Sequence, residues 1–240
     1  LLGFILSKLN LLILVVAIFA IVSFFAFGLK DLVLINEARL LLDRVSQKSF
    51  ALVSSPSYCF SDAFDLPGQI RVAGEDYYYI LKISKVEINK PTPEDPSAQI
   101  SVVIFSLHPR LEYLKYFNGE RAEEPPSIAA SSFRTAAEVN LYSEPYTGEE
   151  YQDTDPEIAT PIIVDPSTRD RYNTVEFLKE IRGGQTFVYI FPCSSSVTHE
   201  NCEAVKQEVS YAACLESCAG DSTCRSNCPS PQDPDVWFGC

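Results

Sequence analysis

The stretch from Leu9 to Leu29 carries no charged residue, and Lys8 and Lys30 are the only charges among the first thirty residues. A helix over that run, at ~1.5 Å per residue, covers the ~30 Å hydrocarbon core of a bilayer. Globular cores seldom call for so long an apolar segment. The run is therefore read as a membrane-spanning helix whose apolar side chains include Leu9, Leu12, Val16, Phe19, Val22, Phe24 and Phe27, with Lys8 as the charged residue at its edge.

The residues beyond the run extend the same helix. No proline occurs before Pro56, and Gly3 and Gly28 are the only earlier glycines, so one uninterrupted helix is predicted over residues 1–54. Its length would be ~80 Å. Beyond Lys30 its character changes. Leu34, Ala38, Leu41, Val45 and Leu52 recur at helical spacing, while Asp31, Glu37, Arg39, Asp43, Arg44 and Lys48 fall largely elsewhere on the wheel. The helix leaves the membrane as an amphipathic rod, and Ser54-Ser55-Pro56 ends it.

Residues 31–240 hold 17 basic against 32 acidic side chains, a net charge of −15. Such a surface repels nucleic acid, and no basic stripe interleaved with aromatics offsets it. Seven of the eight cysteines lie from Cys193 onward, a density that points to an oxidising compartment beside the span. Lys8 on the short N-terminal side agrees with that orientation. The absence of methionine, even at the first position, leads to the expectation of a processed chain whose leader preceded the apolar run.

The fold class expected is α+β, in three parts: the helix over 1–54 (1–29 apolar, 30–54 amphipathic), a β-rich ectodomain over 55–192, and a cysteine-rich appendage over 193–240. β-branched and aromatic residues predict strands at 69–72, 77–88, 99–107, 131–141 and 185–191. A short helix is predicted over Val175–Ile181, closed by Gly183 and Gly184. Proline- and acid-rich stretches at 91–96 and 143–166 are read as surface loops, and a helix is expected near 200–216.

In the appendage, Cys214, Cys218, Cys224 and Cys228 form two C-x3-C pairs separated by Ala219-Gly220-Asp221-Ser222-Thr223. Positions i and i+4 share a helix face. Two antiparallel helical turns joined by that loop would set Cys218 against Cys224 and Cys214 against Cys228. Eight cysteines allow about 105 connectivities, so local geometry selects these two pairs rather than proving them. Elimination then leaves Cys193 with Cys202, and Cys59 with Cys240. A zinc module is the competing reading, but His199 is the only histidine nearby and the spacing suits disulfides better.

Enzymatic motifs are missing. There are two histidines, His108 and His199, and no G-x-S-x-G, H-E-x-x-H, P-loop or dinucleotide fingerprint. His108, before Pro109 at a strand end, reads as a surface or packing residue. Asp153, Asp155 and Glu157 alternate like calcium ligands but lack the glycine and terminal glutamate of an EF-hand. Tyr77-Tyr78-Tyr79 on a strand must bury at least one ring by alternation. No N-x-S/T sequon occurs. No catalytic residue, metal or cofactor is expected.

An apolar half-helix, Leu9 to Leu29, that runs without proline into an amphipathic half, Asp31 to Leu52, ahead of a β-rich domain resembles a mature type IV pilin. The resemblance is architectural and covers about the first 55 residues. Bacterial pilins carry a glutamate at the fifth mature position, where this chain has Ile5, so the resemblance is to the archaeal kind. It implies a leader peptidase that clips just ahead of the apolar helix and an assembly machinery that draws the subunit from the cytoplasmic membrane. It further implies a homopolymer at the cell surface, with its apolar helices in the core and roles in adhesion or attachment. A buried ammonium is costly unless paired, so Lys8 is expected to meet a carboxylate, a helix C-terminal carbonyl or water in the assembly. The competing reading is a monomeric, single-span ectodomain that binds a partner while its helix stays in lipid.

Overall fold

A computed structural model describes residues 2–89, 99–142, 161–168 and 173–194, and in the appendage residues 202, 206, 209–211, 214, 215, 218, 223, 224 and 228. The first element is one helix, α1 (Leu2–Ser54), unbroken over 53 residues. Its buried side in the second half is the predicted stripe: Ala38, Leu41, Val45 and Leu52 enter the core, with Leu34 packed against it.

Among the described residues, the helix leads into β1 (Cys59–Asp65), β2 (Ile70–Val72), β3 (Glu75–Tyr77), β4 (Tyr79–Asn89), β5 (Gln99–Pro109), α2 (Arg110–Phe117), β6 (Ala129–Thr135), β7 (Glu138–Leu141), β8 (Ile162–Val164), β9 (Thr174–Arg182) and β10 (Gln185–Cys193). One four-stranded sheet has the order β6-β5-β4-β8 and is antiparallel throughout. A second has the order β1-β9-β10-β7, antiparallel except where β7 runs parallel to β10. The pair β2-β3 forms a separate hairpin beside the helix. The class is α+β: a long apolar helix, antiparallel sheets and C-terminal disulfides.

Alternation explains how the sheets meet. Tyr79, Leu81 and Ile83 of β4 and Val103, Phe105 and Leu107 of β5 point inward, facing Val175 and Phe177 of β9 and Val188 and Ile190 of β10. Phe105 joins the layers, with its ring 6.2 Å from Phe177 and 6.0 Å from Phe133. The amphipathic half of α1 lies over β6 and touches β1, β2, β5 and β9, completing one core. Tyr79 is the tyrosine of the Tyr77-Tyr78-Tyr79 run that is fully buried, as alternation requires, while Tyr78 is exposed.

The expectation of a helix over Val175–Ile181 is overturned: these residues lie in β9, paired along its length with β1 and β10. The physical reason is burial on both faces. Leu178, Tyr189, Phe191 and Cys193 form a second apolar cluster with Val209 of the appendage on the outer side of the sheet. A strand covered on both sides loses its clean alternation and mimics helical spacing. Gly183 (φ 60°) and Gly184 (φ 86°) are then the two-residue turn of the β9–β10 hairpin rather than a helix cap. The helix α2 and strands β1 and β8 match no element expected from the sequence. The appendage's described residues Cys202, Lys206, Val209–Tyr211, Cys214 and Leu215 are helical, as expected near 200–216.

Candidate functional site

The feature most open to chemistry or assembly is the uncovered surface of α1. Leu9, Leu12, Val16, Phe19, Val22 and Phe24 are all exposed, Phe24 to 77%, and Lys8 is exposed on the same helix. Phe27 lies on the helix, but its side chain is outside the described residues. The window of the span that qualifies it to cross a membrane is buried nowhere within the chain. The exposed apolar surface does not stop where the uncharged run stops. Leu32, Val33, Ile35, Leu40 (45%) and Phe50 (56%) are exposed on the half that carries the sheets. Leu29, Val33, Leu40 and Phe50 fall on one side of the helix with the polar Asn36 and Gln47 between them, while Asp43 on the same side accepts a hydrogen bond from Ser131 of β6.

Contacts at three levels fix this rod to the sheets. At the end of the apolar run, the Lys30 ammonium donates to a Glu75 carboxylate oxygen of β3 and lies 5.6 Å from the Tyr77 ring centroid. The carboxylate and the tyrosine hold the Lys30 pKa above its ordinary value, and the ammonium holds Glu75 below its own. Midway, Lys48 pairs with Asp62 at 3.1 Å and donates to the Ala63 carbonyl at 3.2 Å, so a charged side chain guards the outer strand β1. At the helix end, Lys179 of β9 donates to the Val53 carbonyl at 2.9 Å and to that of Ser55. Lys179 is only 3% exposed, and burial pushes its pKa below the ordinary value. Carbonyls of the last helical turn lack intrahelical donors and carry the negative end of the dipole, so an ammonium there answers both needs.

A polar cluster sits outside this rod. His108 is buried, with Nδ1 2.9 Å from the Pro125 carbonyl and Nε2 3.0 Å from Ser106 Oγ. A carbonyl only accepts, so the neutral ring carries its proton on Nδ1 and accepts the Ser106 hydroxyl at Nε2. Glu124 lies 3.4 Å from Nε2 and is held by Lys82 at 2.8 Å, and the Tyr113 ring packs 5.0 Å from the imidazole. Burial lowers the His108 pKa, the Pro125 carbonyl and Glu124 partly oppose it, and Lys82 adds to the lowering. Burial also pushes the Tyr113 hydroxyl up to about 12. Ser106 and His108 are both buried, and the arrangement ties the segment after α2 to the outer face of β4 and β5.

The disulfides Cys214–Cys228 and Cys218–Cys224 are formed as the spacing indicates, and Cys193–Cys202 as elimination left it. Cys59 is disulfide-bonded, and Cys240, its expected partner, lies outside the described residues. The acidic alternation Asp153, Asp155 and Glu157 and the histidine His199 also lie outside them. Sequence reasoning missed Lys179 and the His108 cluster. Parity along the strands was the available signal: Lys179 shares the inward parity of Val175 and Phe177, and Ser106 that of His108.

Together these features define a class: an α+β fold of antiparallel sheets on a protruding apolar helix that the described residues leave uncovered. No family model matches the chain, and no curated protein or solved structure matches it either.

Proposed function

We propose that this chain is the structural subunit of an extracellular filament resembling an archaeal type IV pilus, assembled through α1 and displaying the sheets outward for adhesion or attachment. The observation that carries the reading is the exposed apolar seam on the second half of α1. Counted from Leu29, Leu40 is about 16 Å and Phe50 about 32 Å further along the helix. A bilayer that accommodates Leu9 to Leu29 does not reach them. A single exposed leucine is ordinary, but Leu32, Val33, Ile35, Leu40 and Phe50, exposed together beyond the apolar run, offer a face on which a second helix packs. Other copies of α1 supply one, and they also cover the first half once it leaves lipid. Burying some twenty apolar side chains at ~1.5–3 kcal/mol each gives a gross gain of tens of kcal/mol, comparable to lipid burial. Extraction from the membrane therefore requires machinery.

Electron microscopy of sheared cell-surface material tests this. Helical filaments containing the chain are expected, and Leu40→Glu with Phe50→Glu should abolish them while leaving the ectodomain folded. Recovery solely in detergent-extracted membranes, with no filament, would instead establish a monomeric anchored ectodomain.

A further inference from the structure

The two C-x3-C disulfides are not independent. Cys218 Sγ lies 3.8 Å from Cys228 Sγ, although the two belong to different bridges. The sulfurs of Cys214, Cys218 and Cys228 lie within 4.8 Å of one another, and Cys224 joins the group through its bond to Cys218. The backbone has thus gathered three sulfurs around one point, with the fourth, that of Cys224, bonded to one of them. A tetrahedral zinc site with Zn–S bonds of ~2.3 Å requires sulfur–sulfur separations of ~3.8 Å. The contact across the bridges already has that length. Ligand pairs in such sites are separated by roughly two to four residues, and both pairs here have three between them.

We propose that the reduced, four-thiol form of the C-terminal appendage is a tetrathiolate site for a thiophilic divalent cation, zinc above all, built from Cys214, Cys218, Cys224 and Cys228. The cluster then has two mutually exclusive closures. Two equivalents of a dithiol reductant deliver four electrons and four protons, break both S–S bonds and leave four thiols. Metal binding forms four metal–sulfur bonds and releases the thiol protons to solvent. Two equivalents of a small-molecule disulfide oxidant take up the four electrons, leave as thiols with protons from solvent, remake both S–S bonds and expel the ion. Each closure holds the same two short loops, so the metal would keep the appendage folded before the chain meets an oxidising compartment. Cys218 is buried, at 5% exposure. The site has the same chemistry whether or not the chain forms filaments.

The test uses the full-length chain in detergent, reduced anaerobically with a phosphine and dialysed after addition of zinc. About one zinc per chain is expected in the reduced form and none beyond background in the oxidised form. Cobalt in place of zinc should give the visible bands of a tetrahedral thiolate centre. Cys214→Ser with Cys228→Ser should lower zinc retention about tenfold or more, whereas Cys193→Ser with Cys202→Ser should leave it unchanged. Alkylation followed by mass spectrometry guards against misfolded variants: zinc should protect Cys214, Cys218, Cys224 and Cys228 of the unmutated chain. Absence of stoichiometric zinc, or protection of other cysteines, overturns the proposal.

Discussion

Replacing Lys179 by methionine preserves most of the side chain's length and removes its charge and all its donors. The ammonium now donates to the Val53 carbonyl at 2.9 Å and to the Ser55 carbonyl, closing the end of α1 against β9. Two hydrogen bonds from a charged donor are worth ~1.5–3 kcal/mol each, and the favourable position at a helix C-terminus adds ~0.3–1 kcal/mol. Removing the ammonium also relieves its desolvation, an offset of several kcal/mol for a buried ion. The balance is a loss of about 2 kcal/mol, because the variant leaves two carbonyls without their donor. Urea unfolding of the full-length chain in detergent, followed through its tyrosines, measures this directly. The pH dependence supplies an independent check. Burial lowers the folded-state pKa, so at alkaline pH the unfolded state binds more protons than the folded one. Wild-type stability should therefore rise as pH climbs from the folded pKa toward about 10.4, and the gap to the methionine variant should widen. A variant as stable as wild type near neutrality, or a gap that narrows with rising pH, would refute this account of the cap.

Ala73 adopts φ 51° in the two-residue turn between β2 and β3, a conformation that costs a non-glycine residue about 1 kcal/mol, so Ala73→Gly should raise the unfolding midpoint. Phe105→Ala, which removes the ring bridging Phe133 and Phe177, should destabilise the domain by about 3–5 kcal/mol in the same unfolding assay. The lowered pKa of His108 means that its contribution is complete above about 6.5 and is lost as pH falls through the folded pKa. Melting temperatures measured from neutral to mildly acidic pH should fall in wild type and fall less in His108→Asn.

How far the sequence discloses this fold depends on how local the information is. The helix α1 is legible because its spacing and its lack of proline are properties of the segment alone. The same holds for Cys214–Cys228 and Cys218–Cys224, separated by 14 and 6 residues, where one turn's geometry dictates the pairing. The strand β9 was illegible for the opposite reason. Val175, Leu178 and Ile181 are three apart, and only the presence of a core on one side and the appendage on the other reveals that Leu178 and Phe177 point to different apolar clusters. Lys179 is a sharper case. A lysine followed by Glu180 reads as a solvent-facing residue, and its purpose appears only when a helix ending more than a hundred residues earlier is brought against it.

The clamp at Lys30 bears on what the helix is for. Glu75 and Tyr77 reach the residue that immediately succeeds the apolar run, so the β2–β3 hairpin sits at the level where that run ends. A lone anchored subunit would therefore hold its sheets directly above the bilayer, with Leu32, Val33, Leu40 and Phe50 left facing water. The sheets cannot turn to cover that seam, because Lys48 and Lys179 fix β1 and β9 to the opposite side and far end of the same helix. Under the filament reading, cover comes from another copy of the chain. A neighbour displaced along the helix axis can place its own apolar run beside this seam, which makes one subunit's surplus apolar surface the partner of the next. Under the filament reading, then, a carboxylate introduced at Leu40 and at Phe50 should block assembly without releasing the chain from the membrane. Charge placed at Phe19 should instead impair both.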